Sequence, residues 1–103
     1  MSWKRITPEA AAALIAARTP VLLDVRDERS YAAARIRGAR HLDNQSVQAF
    51  VASVEKSVPV LVYCYHGNSS QSAAAWLAEQ GFAEVYSLDG GFEYWRGHYA
   101  IES

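Results

Sequence analysis

The sequence predicts an α/β fold, with a central parallel sheet and helices on both of its faces. Three short apolar runs, residues 21–25, 60–63 and 85–88, are typical of strands that are buried on both sides of a sheet. Helical patterns precede, separate and follow these runs. Strands that alternate with helices along a chain favour parallel pairing, because each helix returns the chain to the same end of the sheet.

The first helix and the first strand are marked by residues with known positional preferences. Thr7 is suited to cap a helix and Pro8 to occupy its first position, so the alanine-rich segment that follows is predicted to be helical to about residue 17. Pro20 does not continue a helix, and it opens the strand predicted at residues 21–25.

The segment between the first two long strands is predicted to hold two helices and one brief strand. Asp27 begins a short helix, Gly38 ends the turn after it, and residues 41–42 form the brief strand. Asn44 or Ser46 then caps a helix, whose buried face is formed by apolar side chains spaced at three or four residues: Val47, Phe50, Val51 and Val54.

The carboxyl-terminal third is predicted to form a helix, the last strand and a final short helix. The first of these helices covers about residues 70–80 and ends at Gly81, a residue that suits the position after a helix. Residues 85–88 are predicted to be the last strand of the sheet. The Gly90-Gly91 pair is interpreted as a tight turn that leads into a helix around residues 92–96.

Composition and charge narrow the classes of function. A length of 103 residues predicts one domain over residues 1–103, and no segment has the apolar length of a membrane span or a signal peptide. The formal net charge of −1 provides no basic surface for nucleic acid or for an anionic membrane. The single cysteine excludes an internal disulfide, and no His or Cys spacing predicts a metal site. We therefore expect a cytoplasmic protein without nucleic-acid or membrane partners.

Cys64 is the most informative residue, since it lies where the strand at residues 60–63 ends. It opens a polar loop of turn-forming and hydrogen-bonding residues that precedes a helix: Tyr65, His66, Gly67, Asn68, Ser69 and Ser70. Ligand sites of open α/β sheets lie at the carboxyl ends of the strands, and the N–H groups that begin a helix have no partners within it. Such donors favour a thiolate. The sequence thus predicts a nucleophilic cysteine with a pKa well below the usual value of about 8.5.

The Cys64 loop, together with two further motifs, resembles the rhodanese family of sulfurtransferases. The motifs are residues 22–27, Leu-Leu-Asp-Val-Arg-Asp, and residues 88–95, Leu-Asp-Gly-Gly-Phe-Glu-Tyr-Trp. With the loop between them they span most of the chain, which most resembles the single-domain thiosulfate sulfurtransferases of the family. One departure from the family pattern falls at residues 34–36, in a segment that the resemblance implies is structural.

The resemblance implies a rhodanese-like fold and a sulfur-transfer reaction. Cys64 would be the catalytic nucleophile that takes the outer sulfur of thiosulfate as a persulfide, and the backbone of residues 65–70 would hold that sulfur. A thiophilic acceptor, such as cyanide or a dithiol, would then remove it. The reaction that the resemblance implies needs no metal and no organic cofactor.

The residues alone are also compatible with two other classes of function, a cysteine phosphatase or arsenate reductase and a module without catalytic activity. The phosphate-binding loop of cysteine phosphatases and arsenate reductases also pairs a thiolate with a helix N-terminus. It has an arginine six residues after the cysteine, however, where this chain has Ser70. A rhodanese-like module that only docks partners would not need Cys64 in a polar loop. Both observations favour the sulfurtransferase.

Direct acid/base roles for other polar residues near these motifs are less favoured than simpler interpretations. His66 could act as a base or as an anchor for an anion, but a loop histidine beside a glycine is more often solvated. Asp24 and Arg26 lie at a strand end and favour a structural ion pair over an acid/base cluster, while Asp27 favours a helix cap.

Overall fold

The computed structural model describes residues 2–103 and contains five helices and seven strands in that range. The helices are α1 (Pro8–Arg18), α2 (Glu28–Ala33), α3 (Val47–Ser53), α4 (Ser69–Glu79) and α5 (Gly91–Trp95). The strands are β1 (Lys4–Ile6), β2 (Val21–Asp24), β3 (Arg35–Ile36), β4 (Arg40–His41), β5 (Val60–Tyr63), β6 (Val85–Leu88) and β7 (Ile101–Glu102). Over these residues, no helix combines the length and the apolar character needed to cross a membrane.

Five of the strands form one parallel sheet in the order β1-β6-β5-β2-β4. β5 lies at its centre, where Leu61 is in register with Leu22 of β2 and with Tyr86 of β6. The other two strands, β3 and β7, form a separate antiparallel pair. The predicted parallel sheet is therefore confirmed, and its central strand is apolar throughout because both of its faces are covered.

Alternate residues of β5 enter two separate cores, one on each face of the sheet. Val60 and Val62 belong to the core that packs against α3 and α4. Leu61 and Tyr63 belong to the core that packs against α1, α2 and α5. This division follows from the period of two in side-chain direction along a strand. The predicted helices on both faces are confirmed, and each such buried side chain contributes about 1.5–3 kcal/mol relative to an exposed one.

Three short strands, β1, β3 and β7, are not predicted from the sequence, because they depend on pairing with distant strands and not on a local pattern. The strand predicted at residues 85–88 is confirmed as β6, the last strand of the parallel sheet along the chain, but β7, which the sequence does not predict, follows it in the separate antiparallel pair. β1, β3 and β7 have only two or three residues each, too few to show a period, and they form by pairing β1 with β6 and β3 with β7. The brief strand expected at residues 41–42 lies one residue earlier, at Arg40–His41.

Three helices start at predicted N-cap residues, Thr7, Asp27 and Ser46, but only the first two residues make side-chain capping hydrogen bonds. The Ala10 N–H donates to the Thr7 hydroxyl over 3.2 Å, and the Ser30 N–H donates to the Asp27 carboxylate over 2.9 Å. Both caps satisfy donors that have no partner within the helix. Ser46 occupies the N-cap position of α3, but its side chain makes no capping hydrogen bond.

Candidate active site

Strand β5 delivers Cys64 to the carboxyl edge of the parallel sheet. The strands on either side, β2 and β6, end at the same edge with Asp24 and Leu88. Cys64 is 2% exposed, and the chain then turns through residues 65–68 into α4. The residue predicted to be the nucleophile therefore lies at the edge where open α/β sheets bind ligands.

The loop folds back on the sulfur of Cys64 and surrounds it with hydrogen-bond donors. The N–H groups of Gly67 and Ser70 each donate to Cys64 Sγ over 3.3 Å. The Ser70 hydroxyl oxygen lies 3.4 Å from the same sulfur. Ser70 is the second residue of α4, so its N–H is one of the helix donors that have no acceptor within the helix. Of the predicted loop residues, Gly67 and Ser70 thus donate backbone hydrogen bonds to the sulfur.

Two opposing effects act on the ionisation of Cys64. Burial favours the neutral thiol, whereas hydrogen bonds from the hydroxyls of Ser69 and Ser70 and from the N–H groups of Ser70 and Gly67 favour the thiolate. Together they lower the pKa of the Cys64 thiol to about 7. A thiol with that pKa is about half ionised at neutral pH, against a few per cent for an unperturbed cysteine.

We expect the ionisation of Cys64 to be measurable as a single inflection near pH 7, as its pKa of about 7 requires. The rate of alkylation by iodoacetamide reports the thiolate fraction, so it should rise with pH through this value and level off above it. Cys64 is the only cysteine, so no other thiol contributes. The protein unfolded in urea is the control, with an expected inflection at about 8.5. An equally high inflection in the folded protein would show that the loop donors do not stabilise the thiolate.

The N-terminus of α5 holds the carbonyl groups of the loop. The Phe92 N–H donates to the Cys64 carbonyl over 2.9 Å, and the Glu93 N–H donates to the Tyr65 carbonyl over 3.0 Å. Gly91 permits this approach, because its φ is +57° and a Cβ at this position would lie 2.5 Å from the Tyr65 carbonyl oxygen. The glycine turn before α5, interpreted from the sequence as a simple tight turn, is therefore packed directly against the loop.

The Tyr65 side chain ties the loop to helix α2. Its hydroxyl donates to the Asp27 carboxylate and lies 3.0 Å from the Ser30 hydroxyl. Hydrogen bonds hold the pKa of the Asp27 carboxyl well below its usual range. The largest contribution comes from the Tyr65 hydroxyl, and smaller ones come from the N–H and hydroxyl of Ser30. Asp27 thus caps α2, as predicted, and also anchors the loop beside Cys64.

Asp24 and Arg26 form the structural ion pair that the sequence predicts, and the pair is buried. The Arg26 guanidinium donates to the Asp24 carboxylate at 2.7–3.1 Å, and the Arg26 N–H donates to it at 2.8 Å. The guanidinium carbon lies 4.1 Å from the centre of the Phe92 ring and 5.7 Å from that of Tyr65. This arginine is therefore engaged in pairing and packing on the β2 side of the loop.

A cavity of about 220 Å³ opens beside the loop, and its lining residues are Cys64, Tyr65, His66, Asn68 and Ser69. The four that follow Cys64 are exposed, so these predicted loop residues form the rim of the site. None of the lining residues is a lysine or an arginine. Over residues 2–103, no three His, Cys, Asp or Glu side chains lie close enough together to hold a metal ion.

Besides the anchoring of Tyr65 by Asp27, two contributions to this site are missing from the sequence predictions. The first is the pair of N–H groups from Phe92 and Glu93, and the second is Ser87 in β6, whose hydroxyl lies 2.8 Å from that of Ser70. Signals for both exist in the sequence. A glycine pair follows the strand at residues 85–88, and a serine interrupts the apolar pattern of that strand.

Comparisons with known proteins agree with this fold. The family model described as Rhodanese-like domain matches residues 7–98. Thiosulfate sulfurtransferases named GlpE from Pseudomonas putida and Pseudomonas entomophila are 54% and 56% identical over 101 residues, which cover 98% of this chain and 92% of each relative.

Solved structures give the same result for the fold. A rhodanese-like domain from Anabaena has a TM-score of 0.86 at 25% identity, covering 96% of this chain and 78% of its own. A rhodanese-related protein from Thermoplasma volcanium has a TM-score of 0.80 at 23% identity, covering 96% of this chain and 97% of its own. With a family match over most of its length and relatives that share more than half of its residues, this chain belongs to the rhodanese-like domain family.

Proposed function

We propose that this protein is a thiosulfate sulfurtransferase that carries the transferred sulfur as a persulfide on Cys64. The main support is the environment of Cys64 Sγ, which receives two N–H hydrogen bonds at 3.3 Å and belongs to a thiol with a pKa of about 7. A partly ionised, hydrogen-bonded sulfur is what a nucleophilic displacement at a second sulfur requires. Further support comes from relatives at 54% and 56% identity that are named thiosulfate sulfurtransferases.

The proposed reaction consists of two displacements at sulfur. In the first half, the Cys64 thiolate attacks the outer sulfur of thiosulfate, the sulfur–sulfur bond of thiosulfate breaks, and sulfite leaves with the electron pair. In the second half, cyanide or the thiolate of a dithiol attacks the outer sulfur of the persulfide, and the Cys64 thiolate is restored. Neither displacement requires a metal or an organic cofactor, and a covalent intermediate predicts ping-pong kinetics.

In this scheme the predicted loop residues divide into two groups. The N–H groups of Gly67 and Ser70 act on the sulfur from inside the protein. Exposed residues line the mouth through which both substrates reach the sulfur: Tyr65, His66, Asn68 and Ser69. Because Cys64 is 2% exposed, the acceptor must be a small molecule or a thiol that projects from its carrier.

Intact-protein mass spectrometry after incubation with thiosulfate tests the proposal. We expect one added sulfur atom, which cyanide removes as thiocyanate and which a dithiol such as dithiothreitol also removes. Protein alkylated at Cys64 before the incubation is the control and should take up no sulfur. A folded protein that gains no sulfur would contradict the proposal. Because the scheme needs a reduced Cys64, we also propose that the protein works in a reducing compartment, the cytoplasm.

Thiosulfate is expected to bind weakly, because the mouth of the site contains dipoles but no fixed positive charge. None of its lining residues is a lysine or an arginine, so the dianion depends on N–H and O–H groups. We expect a KM toward or above the upper end of the usual range of roughly 1 μM to 1 mM. His66→Arg should lower this KM about three- to tenfold and leave kcat nearly unchanged, since the charge attracts the ground state and the transition state alike.

Steady-state kinetics at two ionic strengths distinguish attraction of thiosulfate by a charge in the loop from the effect of adding a positive charge anywhere on the protein. Added salt should weaken thiosulfate binding more steeply in His66→Arg than in the wild type. Ala83→Arg is the matched control, because it adds the same charge at an exposed position before β6, at the opposite edge of the sheet. A low micromolar KM in the wild type, or the same KM in both variants, would contradict binding by backbone dipoles.

A further inference from the structure

A buried pair of serines connects strand β6 to the sulfur of Cys64. Ser87 is 1% exposed and Ser70 is fully buried, and their hydroxyl oxygens lie 2.8 Å apart. Ser70 Oγ lies 3.4 Å from Cys64 Sγ. Within residues 2–103, the Ser87 hydroxyl makes no other hydrogen bond, and the other buried residues of its strand are apolar. The three atoms therefore form a short chain that ends at the sulfur.

The number of protons in this chain indicates which form of Cys64 it fits. A thiol and two hydroxyls carry three protons, but only two hydrogen bonds join the three atoms, so one buried proton has no acceptor in the chain. With a thiolate, two protons remain and both bonds are made: Ser87 donates to Ser70, and Ser70 donates to Sγ. A buried donor without an acceptor costs free energy, so the chain favours the thiolate.

We propose that Ser87 is a positioning residue of the sulfur-transfer site, whose hydroxyl donates to Ser70 Oγ and thereby directs the Ser70 proton to Cys64 Sγ. A hydroxyl that accepts a hydrogen bond is also a stronger donor, because neighbouring hydrogen bonds polarise each other. Ser87 makes no hydrogen bond to the sulfur, so its proposed effect passes through Ser70.

The consequence for the reaction rests on the proposed function. The serine chain stabilises negative charge on Sγ, whereas in the persulfide Sγ is neutral and the charge lies on the outer sulfur. Sγ is the nucleophile in the first half and the leaving group in the second, when its bond to the outer sulfur breaks and the electron pair returns to it. A lower thiol pKa speeds departure but reduces intrinsic nucleophilicity. Ser87 should therefore assist the second half at every pH, and the first half only where the thiolate is incompletely formed.

A Ser87 variant retains every other titratable group around the loop. Two of these groups are His66 on the loop and Glu93 in α5. The others form pairs in the elements beside the loop: Asp24 with Arg26, Asp27 with Tyr65, and Asp89 with Arg5. A change in the titration of Cys64 in such a variant can thus be assigned to the serine chain.

Ser87→Ala tests the proposal through the pH dependence of Cys64 alkylation by iodoacetamide, which requires no sulfur transfer. We expect the inflection to move upward by about half a pH unit, which is about threefold in the ionisation constant. Ser87→Thr retains a hydroxyl and should keep the inflection near that of the wild type. Ser53→Ala removes an exposed serine hydroxyl from α3 and should leave it unchanged. Thermal unfolding establishes that each variant is folded, and Ser87→Val, which matches Ser87→Thr in shape but has no hydroxyl, takes the place of Ser87→Ala if the latter is not.

A double-mutant cycle with Ser70→Ala shows whether Ser87 acts through Ser70. In the Ser70→Ala background, removing the Ser87 hydroxyl should not move the inflection further, because the intermediate hydroxyl is already absent. Equal shifts in both backgrounds would overturn the proposal. So would an unchanged inflection in the folded Ser87→Ala single variant.

Single-turnover kinetics at about pH 9 separate a positioning role from a general structural one. Ser87→Ala should form the persulfide no more slowly than the wild type, because its fully formed thiolate is at least as nucleophilic, but it should release its sulfur to cyanide about twofold more slowly, as the dependence of thiol displacement on leaving-group pKa predicts. Equal slowing of both halves would overturn the assignment. If the wild type forms no persulfide, the proposed function fails, whereas the alkylation inflection still decides the role of Ser87.

Discussion

Replacing Cys64 with serine should abolish the uptake of sulfur from thiosulfate and reduce sulfurtransferase activity to below about one-thousandth of the wild-type rate. The serine hydroxyl is essentially un-ionised at neutral pH, whereas the Cys64 thiol has a pKa of about 7. The fold should persist, because serine is close in size and can accept the hydrogen bonds that Gly67 and Ser70 now donate to the sulfur. Mass spectrometry measures the adduct, and thiocyanate formation measures the rate.

The controls for this substitution separate loss of the nucleophile from loss of the fold. Thermal unfolding should show a Tm within a few degrees of the wild type, which corresponds to about 1 kcal/mol or less. Ser53→Ala, at an exposed position of α3, should keep full activity. Because Cys64 is the only cysteine, sulfur transfer that persisted in folded Cys64→Ser would have to use another group, and the persulfide mechanism would be wrong.

Replacing Gly91 with alanine should destabilise the protein by about 3 kcal/mol or more. Its φ of +57° alone costs a non-glycine residue about 1–2 kcal/mol. In addition, the new Cβ would lie 2.5 Å from the carbonyl carbon and oxygen of Tyr65 and 2.6 Å from the carbonyl oxygen of Cys64. These are backbone atoms, so the loop must move away from α5, at a cost comparable to that of overpacking a core, about 1–3 kcal/mol.

Gly38→Ala is the matched control for Gly91→Ala. Gly38 also has a positive φ, +85°, but a Cβ there would meet no other atom within 4 Å, so the variant should lose only the backbone contribution and keep its activity. Urea denaturation measures both losses. In Gly91→Ala the alkylation inflection of Cys64 should also rise, because the loop donors are displaced. Equal unfolding free energies for the two variants would contradict the close packing of Gly91 against the loop.

The long elements of the fold could be predicted because their signals are local. The apolar run at residues 60–63 coincides with β5, and the start of α1 was marked by Thr7 and Pro8. The short strands differ because their existence depends on partners far along the chain. β3 pairs with β7, for example, through Arg35 opposite Glu102, and no period in two residues reveals such a pair.

The candidate site could be predicted only as far as it is continuous in sequence. Residues 64–70 form one loop, so a single pattern identifies them. Contacts of that loop with Asp27, Ser87 and Phe92 depend on β5 lying between β2 and β6. No local sequence pattern predicts the order of strands in a sheet. For this reason the sequence alone indicates only a simple turn before α5.

The hydrogen bonds from α5 to the loop also fix the orientation of two peptide planes. The Cys64 carbonyl points to the Phe92 N–H and the Tyr65 carbonyl to the Glu93 N–H, and no cis peptide bond occurs in residues 2–103. In a planar trans peptide the N–H is antiparallel to the carbonyl, so the N–H groups of Tyr65 and His66 point away from α5. The directions of these two N–H groups are therefore set before any ligand arrives, so a thiosulfate dianion held by them, as the proposed function implies, would demand little reorganisation of the backbone.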